Sequence, residues 1–318
     1  MIRPASPDAV ATAADLIRRG SVVAFPTETV YGLGADATNA VAVARIFAIK
    51  ARPAFDPLIV HLHAPAQLAL VATSVPPAAA VLSERFWPGP LTIVLPKAAG
   101  IPDVVSAGLP SVAVRVPDHA VARALLAAAG TPIAAPSANP FGYVSPTTAA
   151  HVEAQLGTQV PLILDGGACR VGVESTIVSF MTAEPALLRP GGIALEEIER
   201  VIGPLRLGAD SARPSAPGQL PHHYSPRTPL EIVARPEDVP ASERTDTALL
   251  LPWPDPAAHG FAHVELLSAD GALTSVAANL FAALRRLDAG AHRRIVAVAV
   301  PETGLGRAIM DRLRRAAA

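Results

Sequence analysis

The sequence predicts an α/β protein: an open, twisted mixed sheet with flanking helices, followed by a small Rossmann-like α/β domain. Three observations predict it. Short runs rich in β-branched residues alternate with helix-length segments of 3.6-residue apolar period. The connections mix short turns with helical crossovers, which suits a mixed sheet better than a regular parallel one. The alternation stops over residues 203–228, where prolines stand at 204, 214, 217, 221 and 226, and then resumes. The chain thus divides into a first domain (1–205), a linker or functional loop (206–228) and a second domain (229–318).

In order along the chain, Ser21-Val22-Val23-Ala24-Phe25 reads as a strand closed by Pro26, and Asn39 caps a helix that runs to Lys50, where Pro53 stops it. Strands follow at 58–62, 91–95, 112–116 and 132–135, with helices at 66–72, 78–86 and 119–129. Ser145-Pro146 has the form of a cap with proline at the first helical position, so a helix is expected to start there. Further strands are expected at 162–165, 175–178 and 186–188, and a helix at 195–202. In the second domain, strands at 230–233, 248–251 and 294–300 alternate with helices at 269–288 and 305–315. Leu273, Val276, Leu280, Leu284 and Leu287 fall on one face of the longer helix.

Composition narrows the function. With 318 residues and 51% apolar side chains, two cores can be buried. A net charge of −1 does not describe a polycation built for nonspecific nucleic-acid binding, so any phosphate affinity must be local. One cysteine, Cys169, excludes an internal disulfide and a multi-cysteine zinc site, and suits a reducing, cytoplasmic setting. The first residues, Met1 to Asp8, lack the apolar run of a signal peptide. The uncharged stretch from Ala124 to Ala150 is broken by four prolines, so it is not expected to span a membrane.

No P-loop, no G-x-G-x-x-G and no G-x-S-x-G occurs, so a nucleotide would have to be bound another way. Pro26-Thr27-Glu28-Thr29-Val30-Tyr31-Gly32 places hydroxyls, a carboxylate and a glycine at a strand end, as either a ligand loop or an ordinary turn. Lys50 and Arg52 either complement the helix dipole or present a point charge and a planar fork to polyphosphate. His61 and His63 share a strand face: a metal pair, or one pocket histidine beside an incidental one. Arg115 sits in an apolar strand, so it is paired with an acid or aimed at a carboxylate ligand; Asp118 is the only acid near it in sequence. Ser137 and Asn139 follow a strand, the segment at Ser145 is a helix cap or an anion site, and Arg189 ends a strand before Pro190-Gly191-Gly192.

Taken in order, these segments resemble the threonylcarbamoyl-AMP synthase (YrdC-like) family. The resemblance rests on residues 25–34, Lys50-Ala51-Arg52-Pro53, Pro57-Leu58, residues 87–92, Val114-Arg115-Val116-Pro117, Pro136-Ser137-Ala138-Asn139, Glu174-Ser175-Thr176-Ile177-Val178 and Arg189-Pro190-Gly191. The linker motif His223-Tyr224-Ser225-Pro226 and the second domain look like the family's long form. The resemblance implies a nucleotidyltransferase that joins L-threonine, bicarbonate or CO2, and ATP into threonylcarbamoyl-adenylate, with release of pyrophosphate. Downstream enzymes then place the threonylcarbamoyl group on tRNA. It implies that Thr29, His61, Arg115, Ala135 and Ser175 line the threonine site. It implies that Lys50, Arg52, Asp56, Ser111, Ser137, Ser145, Arg189 and Tyr224 serve ATP, with Mg2+ as phosphate counterion. Two departures stand out: Gln219-Leu220 where the family often has Met-Lys, and Asp56 where it usually has an amide. The competing readings are a double-stranded RNA-binding module, disfavoured by 4% aromatic content, and a carbamoyltransferase of the hydrogenase-maturation type, which would need zinc-binding cysteines.

Overall fold

Helix and strand boundaries follow local chemistry in this computed structural model, which describes residues 1–208, 216–218 and 223–318. The chain opens with β1 (Ile2–Pro4) and α1 (Pro7–Arg18); the Ser6 hydroxyl accepts from the Ala9 amide at 3.2 Å and Pro7 occupies the first turn. Ser6-Pro7 is a helix-start signal of the same form as Ser145-Pro146. Next come β2 (Val23–Phe25), β3 (Gly32–Asp36) and α2 (Ala40–Lys50), capped by Asn39. α2 ends because Ala51 turns into the left-handed region at φ 50°, ahead of the expected stop at Pro53.

β4 (Ile59–His61), α3 (Leu68–Val71), α4 (Pro77–Phe86), β5 (Leu91–Pro96), α5 (Asp103–Ser106), β6 (Ser111–Arg115), α6 (Ala120–Ala129) and β7 (Ile133–Ala134) follow. α7 (Ala149–Leu156) does not start at Ser145. Its cap is Thr148, which accepts from the His151 amide, and Ser145 lies in the preceding loop with its hydroxyl engaged elsewhere. The first domain is completed by β8 (Ile163–Asp165), β9 (Thr176–Ser179), β10 (Ala186–Arg189), α8 (Leu195–Ile202) and β11 (Arg206–Leu207).

These strands form one eleven-stranded mixed sheet in the order β1-β8-β2-β3-β7-β4-β6-β5-β9-β10-β11. β3 was missed because glycines weaken a strand signal. Here Gly34 is required: a Cβ would lie 2.6 Å from the Phe25 ring and 2.7 Å from Ile133. One face of the sheet packs on α2, α4, α7 and α8 through Val60, Val114 and Val178 among others. On the other face α1 and α6 cover Val23, Phe25, Ile133 and Leu164. They leave Ile59, Ala113, Val94 and Ile177 to meet Ala216 of the linker. That gap between helices and linker is where the site forms.

The second sheet is built from β12 (Leu230–Val233), β13 (Thr247–Leu251), β14 (His263–Leu266) and β15 (Arg294–Val298), with α9 (Leu273–Asp288) and α10 (Gly306–Ala317). It is wholly parallel in the order β12-β15-β13-β14. The exposed edge strand β14 was not anticipated. α9 buries Val276, Leu280, Leu284 and Leu287 as its period predicts.

The two sheets are tied together along α9 and α10. Val30, Val144, Val173 and Tyr224 join the apolar cluster of the second domain. Gly172 lets α9 approach: a Cβ there would sit 2.4 Å from the Ala277 carbonyl oxygen and from the Ala278 Cα. Arg285 of α9 donates to the carbonyls of Val144 and Ser145 and to Gln155. No described helix is long and apolar enough to cross a membrane.

Candidate active site

The period of two along β4 and β6 creates the site. Val60 and Val114 enter the apolar core, which sends Ile59, His61, Ala113 and Arg115 to the opposite face. The two strands are parallel with His61 opposite Arg115, and β7 runs antiparallel on the far side of β4. The result is a cleft of about 540 Å³, part of it open to solvent. All five positions expected for threonine line it: Thr29, His61, Arg115, Ala135 and Ser175. Arg52, Ser137, Arg189 and Tyr224, expected for ATP, line it too.

Arg115 combines the two readings left by the sequence, since it lines the cleft and also has an acid partner. Its acid partner is Glu28, at 2.7 Å, and not Asp118, which pairs with Arg170. Arg115 also donates to the Thr29 hydroxyl at 2.9 Å and to the Gly89 carbonyl at 3.2 Å. Burial pushes the Glu28 carboxyl up, but the charge and hydrogen bond of Arg115 outweigh it and hold it below the usual carboxylate range. Burial, and then the Arg115 charge, push His61 down to about 3, so its imidazole is neutral. His63 does not share the cleft; its ring lies by the Arg123 carbonyl at 3.2 Å. The single-histidine reading therefore describes this strand.

The other basic groups are held more deeply than the sequence suggested. Arg52 pairs with Asp56 at 2.9 Å and donates to the Asp56 and Pro57 carbonyls. Burial raises the Asp56 carboxyl despite Arg52. Asp56 is a support for Arg52 behind the cleft and not part of its lining. Lys50, expected near phosphates, is 2% exposed and also stands behind the wall. Its ammonium donates to the carbonyls of Ser137 (2.6 Å) and Asn139, which fixes the loop that presents Ser137. Burial, with Arg52 adding to it, pushes its pKa well down.

Two expected ATP residues likewise lie outside the lining. Ser111 starts β6 opposite Pro96, four positions from Arg115. Ser145 donates to Glu174 at 2.6 Å and is fully buried. Arg189, in contrast, faces the cleft and donates to the Ser175 carbonyl (2.9 Å) and hydroxyl (3.2 Å) and to the Pro217 carbonyl (3.0 Å). Thr92 and Ser175 share a hydrogen bond of 2.7 Å.

The linker contributes directly. Pro217, Gly218, His223 and Tyr224 line the cleft. Tyr224 adopts φ 64° and is 1% exposed, stacked on Phe281 of α9 at 5.5 Å and edge-on to His223 at 4.1 Å. Gly218 makes room, since a Cβ there would be 2.7 Å from the Tyr224 hydroxyl. Gln219 and Leu220, where the sequence departs from the family pattern, lie outside the described residues.

Thr27, Glu174 and His223 line the cleft although the resemblance assigns them no role there. Glu174 stood inside a recognised motif, and its charge beside Ser175 was the available signal. Among the described residues no group of three or more metal-ligating side chains occurs. Glu28, Asp56 and Glu174 are each engaged by an arginine, so the described residues offer no carboxylate cage for a divalent ion. Burial, with Glu28 adding to it, pushes the Cys169 thiol up to about 12, which keeps it protonated.

Comparison with known proteins supplies the family. Residues 15–191 match the Sua5–YciO–YrdC family described as "Telomere recombination", and residues 193–318 match "Threonylcarbamoyl-AMP synthase, C-terminal domain". The threonylcarbamoyl-AMP synthase of Pyrococcus abyssi is 43% identical over 318 residues, covering 96% of this chain and 92% of the relative. The chain belongs to the threonylcarbamoyl-AMP synthase family. The Bacillus subtilis member is 43% identical, covering 97% of this chain and 92% of its own length; that of Schizosaccharomyces pombe is 37% identical, covering 97% and 88%. The crystal structure of P. abyssi Sua5 complexed with L-threonine superposes with a TM-score of 0.92 at 40% identity, covering all of this chain and 96% of the other.

Proposed function

We propose that the protein is a threonylcarbamoyl-AMP synthase in activity as well as family: it converts L-threonine, bicarbonate or CO2, and ATP to threonylcarbamoyl-adenylate and pyrophosphate. The observation that carries this reading is the convergence of Thr29, His61, Arg115, Ala135 and Ser175 with Arg52, Ser137 and Arg189 on a single cleft. Arg115 supplies the cation for the threonine carboxylate, already aligned by Glu28 and Thr29. Neutral His61 adds no positive charge beside the amine, which must itself be uncharged to attack CO2.

The amine nitrogen forms a bond to the CO2 carbon and gives up a proton. A carbamate oxygen then attacks the α-phosphorus, and the bond to the bridging oxygen breaks to release pyrophosphate. No side chain need form a covalent intermediate, so the protein acts by positioning and by neutralising phosphate charge, for which Arg52 and Arg189 are placed. Mg2+ would accompany the triphosphate as its counterion, since the described carboxylates in and behind the cleft, Glu174, Glu28 and Asp56, are each engaged by an arginine. The adenylate serves enzymes that modify tRNA, and the buried, unpaired Cys169 suits the reducing cytoplasm.

The test is pyrophosphate release from ATP by purified protein. Release should require both L-threonine and bicarbonate; release that ignores either one, or none at all, rejects the reading.

A further inference from the structure

Among the described residues three arginines line the cleft, and their charges are compensated differently. Arg52 has Asp56 at 2.9 Å and Arg115 has Glu28 at 2.7 Å. Arg189 has no carboxylate within ion-pair distance among the described residues; its guanidinium meets only the neutral acceptors of Ser175 and Pro217. It is 4% exposed. Neutral carbonyls satisfy its hydrogens without cancelling its charge, so an anion entering the cleft finds the full cation in a poorly screened setting.

A carboxylate is nevertheless close enough to act on Arg189. Glu174 lines the same cleft and directly precedes Ser175, whose carbonyl and hydroxyl Arg189 contacts. It is taken by another cation: Arg312 of α10 contacts it at 2.7 Å, while Ser145 occupies its second oxygen. Arg312 is fully buried and does not line the cleft. The Pro190 carbonyl at 3.0 Å and the Asp311 carboxylate hold it, and it lies 5.1 Å from the centre of the Tyr224 ring.

We propose that Arg312 is a positioning residue that keeps Glu174 from pairing with Arg189, and so reserves the Arg189 charge for the polyphosphate of the nucleotide. The inference rests on the synthase reading, which supplies the polyphosphate. The second domain thereby sets the anion affinity of a site on the first without touching the ligand.

The test is calorimetric titration of the full chain with MgATP, and separately with L-threonine. Arg312→Met removes the charge and should weaken MgATP binding about tenfold or more, the scale of one charge-assisted contact. Threonine binding should change less. The double variant Arg312→Met with Glu174→Gln should recover most of the loss, because no carboxylate remains to capture Arg189. A role confined to packing predicts no recovery, since the double variant still lacks the guanidinium beside Tyr224. Arg312→Lys keeps the charge and serves if Arg312→Met does not fold; it should bind MgATP nearly as tightly as wild type. The proposal is overturned by a tenfold loss in Arg312→Lys, by wild-type binding in Arg312→Met, or by a double variant no tighter than Arg312→Met. If the wild-type chain binds no ATP, the synthase reading and this inference fall together; normal wild-type binding with an unrescued double variant removes the inference alone.

Discussion

The two sheets use their buried strand positions for different ends. In the small parallel sheet, β13 buries Ala248, Leu249 and Leu250 and β15 buries Ile295, Val296 and Ala297, apolar on both faces. In the large sheet the β4–β6 pair is as deeply buried, yet at its carboxyl end it sets His61 against Arg115. A parallel strand covered on both faces reads as packing. A buried polar pair at a strand end, with Glu28 brought in from a loop to neutralise it, reads as a binding site whose charges had to be matched first. The small sheet reaches that site only through its helices, by way of Arg312 and the Phe281 platform under Tyr224.

The comparison can be broken most sharply at Arg115. Arg115→Met leaves Glu28 buried without its cation, which should cost about 3–5 kcal/mol of stability. It should also abolish threonine-dependent pyrophosphate release. Urea melts check the first effect, and adding Glu28→Gln should restore part of the stability but not the activity. A single variant as stable as wild type would mean that the pair is not a structural element of this sheet.

Acid sharpens the contrast next. His61 and His223 are each held at about 3 by burial, whereas an unfolded chain titrates near the ordinary value of 6.5. Between those values the unfolded state binds the additional proton, so stability is retained above pH 6.5 and lost as pH falls below it. At pH 5 the loss should be about 2 kcal/mol per histidine. Melting temperature followed from pH 7.5 to 5 reads it, and His61→Asn should flatten the curve in part, since His223 and His151, the latter held at about 4 by burial, still contribute. A flat wild-type profile would show that these rings are not buried neutral.

The smallest effect is expected at the seam between the sheets. Gly172→Ala drives a methyl group into the α9 backbone at a position of φ 74°, at an expected cost of about 1–3 kcal/mol. Tryptophan fluorescence of Trp253, which packs against the second-domain core, should report the disturbance. Unchanged fluorescence and an unchanged melt would mean that α9 can retreat without consequence.

What could be read in advance follows the range of each interaction. Period and caps are local, so α2, α6, α8 and α9 were legible, and the ordered motifs placed Thr29, His61, Arg115 and Ser175 in one site before any geometry was known. The pairing of Arg115 with Glu28 spans 87 positions and carries no local mark, and with Asp118 the only acid nearby in sequence the ligand reading stood out instead. Lys50 was read by its chemistry, and only the fold shows two carbonyls taking its ammonium behind the cleft wall. β3 was hidden because the glycine that weakens its strand signal is the residue its packing demands. Arg312 was overlooked despite a visible cue: it follows Ile309 by three positions and precedes Leu313 on the apolar face of α10, where a cation needs a partner.

The strand order also governs how the protein reaches this state. β8 lies between β1 and β2, so within the sheet two strands near the start of the chain are joined through residues 162–165. Until that segment inserts, β1 has no hydrogen-bonded partner, and α1 and α6 have no complete floor to settle on. Loop closure over so long a stretch must be met before its contacts form, which favours slow folding with late consolidation of this edge. Amide exchange should find the β1–β8–β2 ladder among the last elements to become protected during refolding.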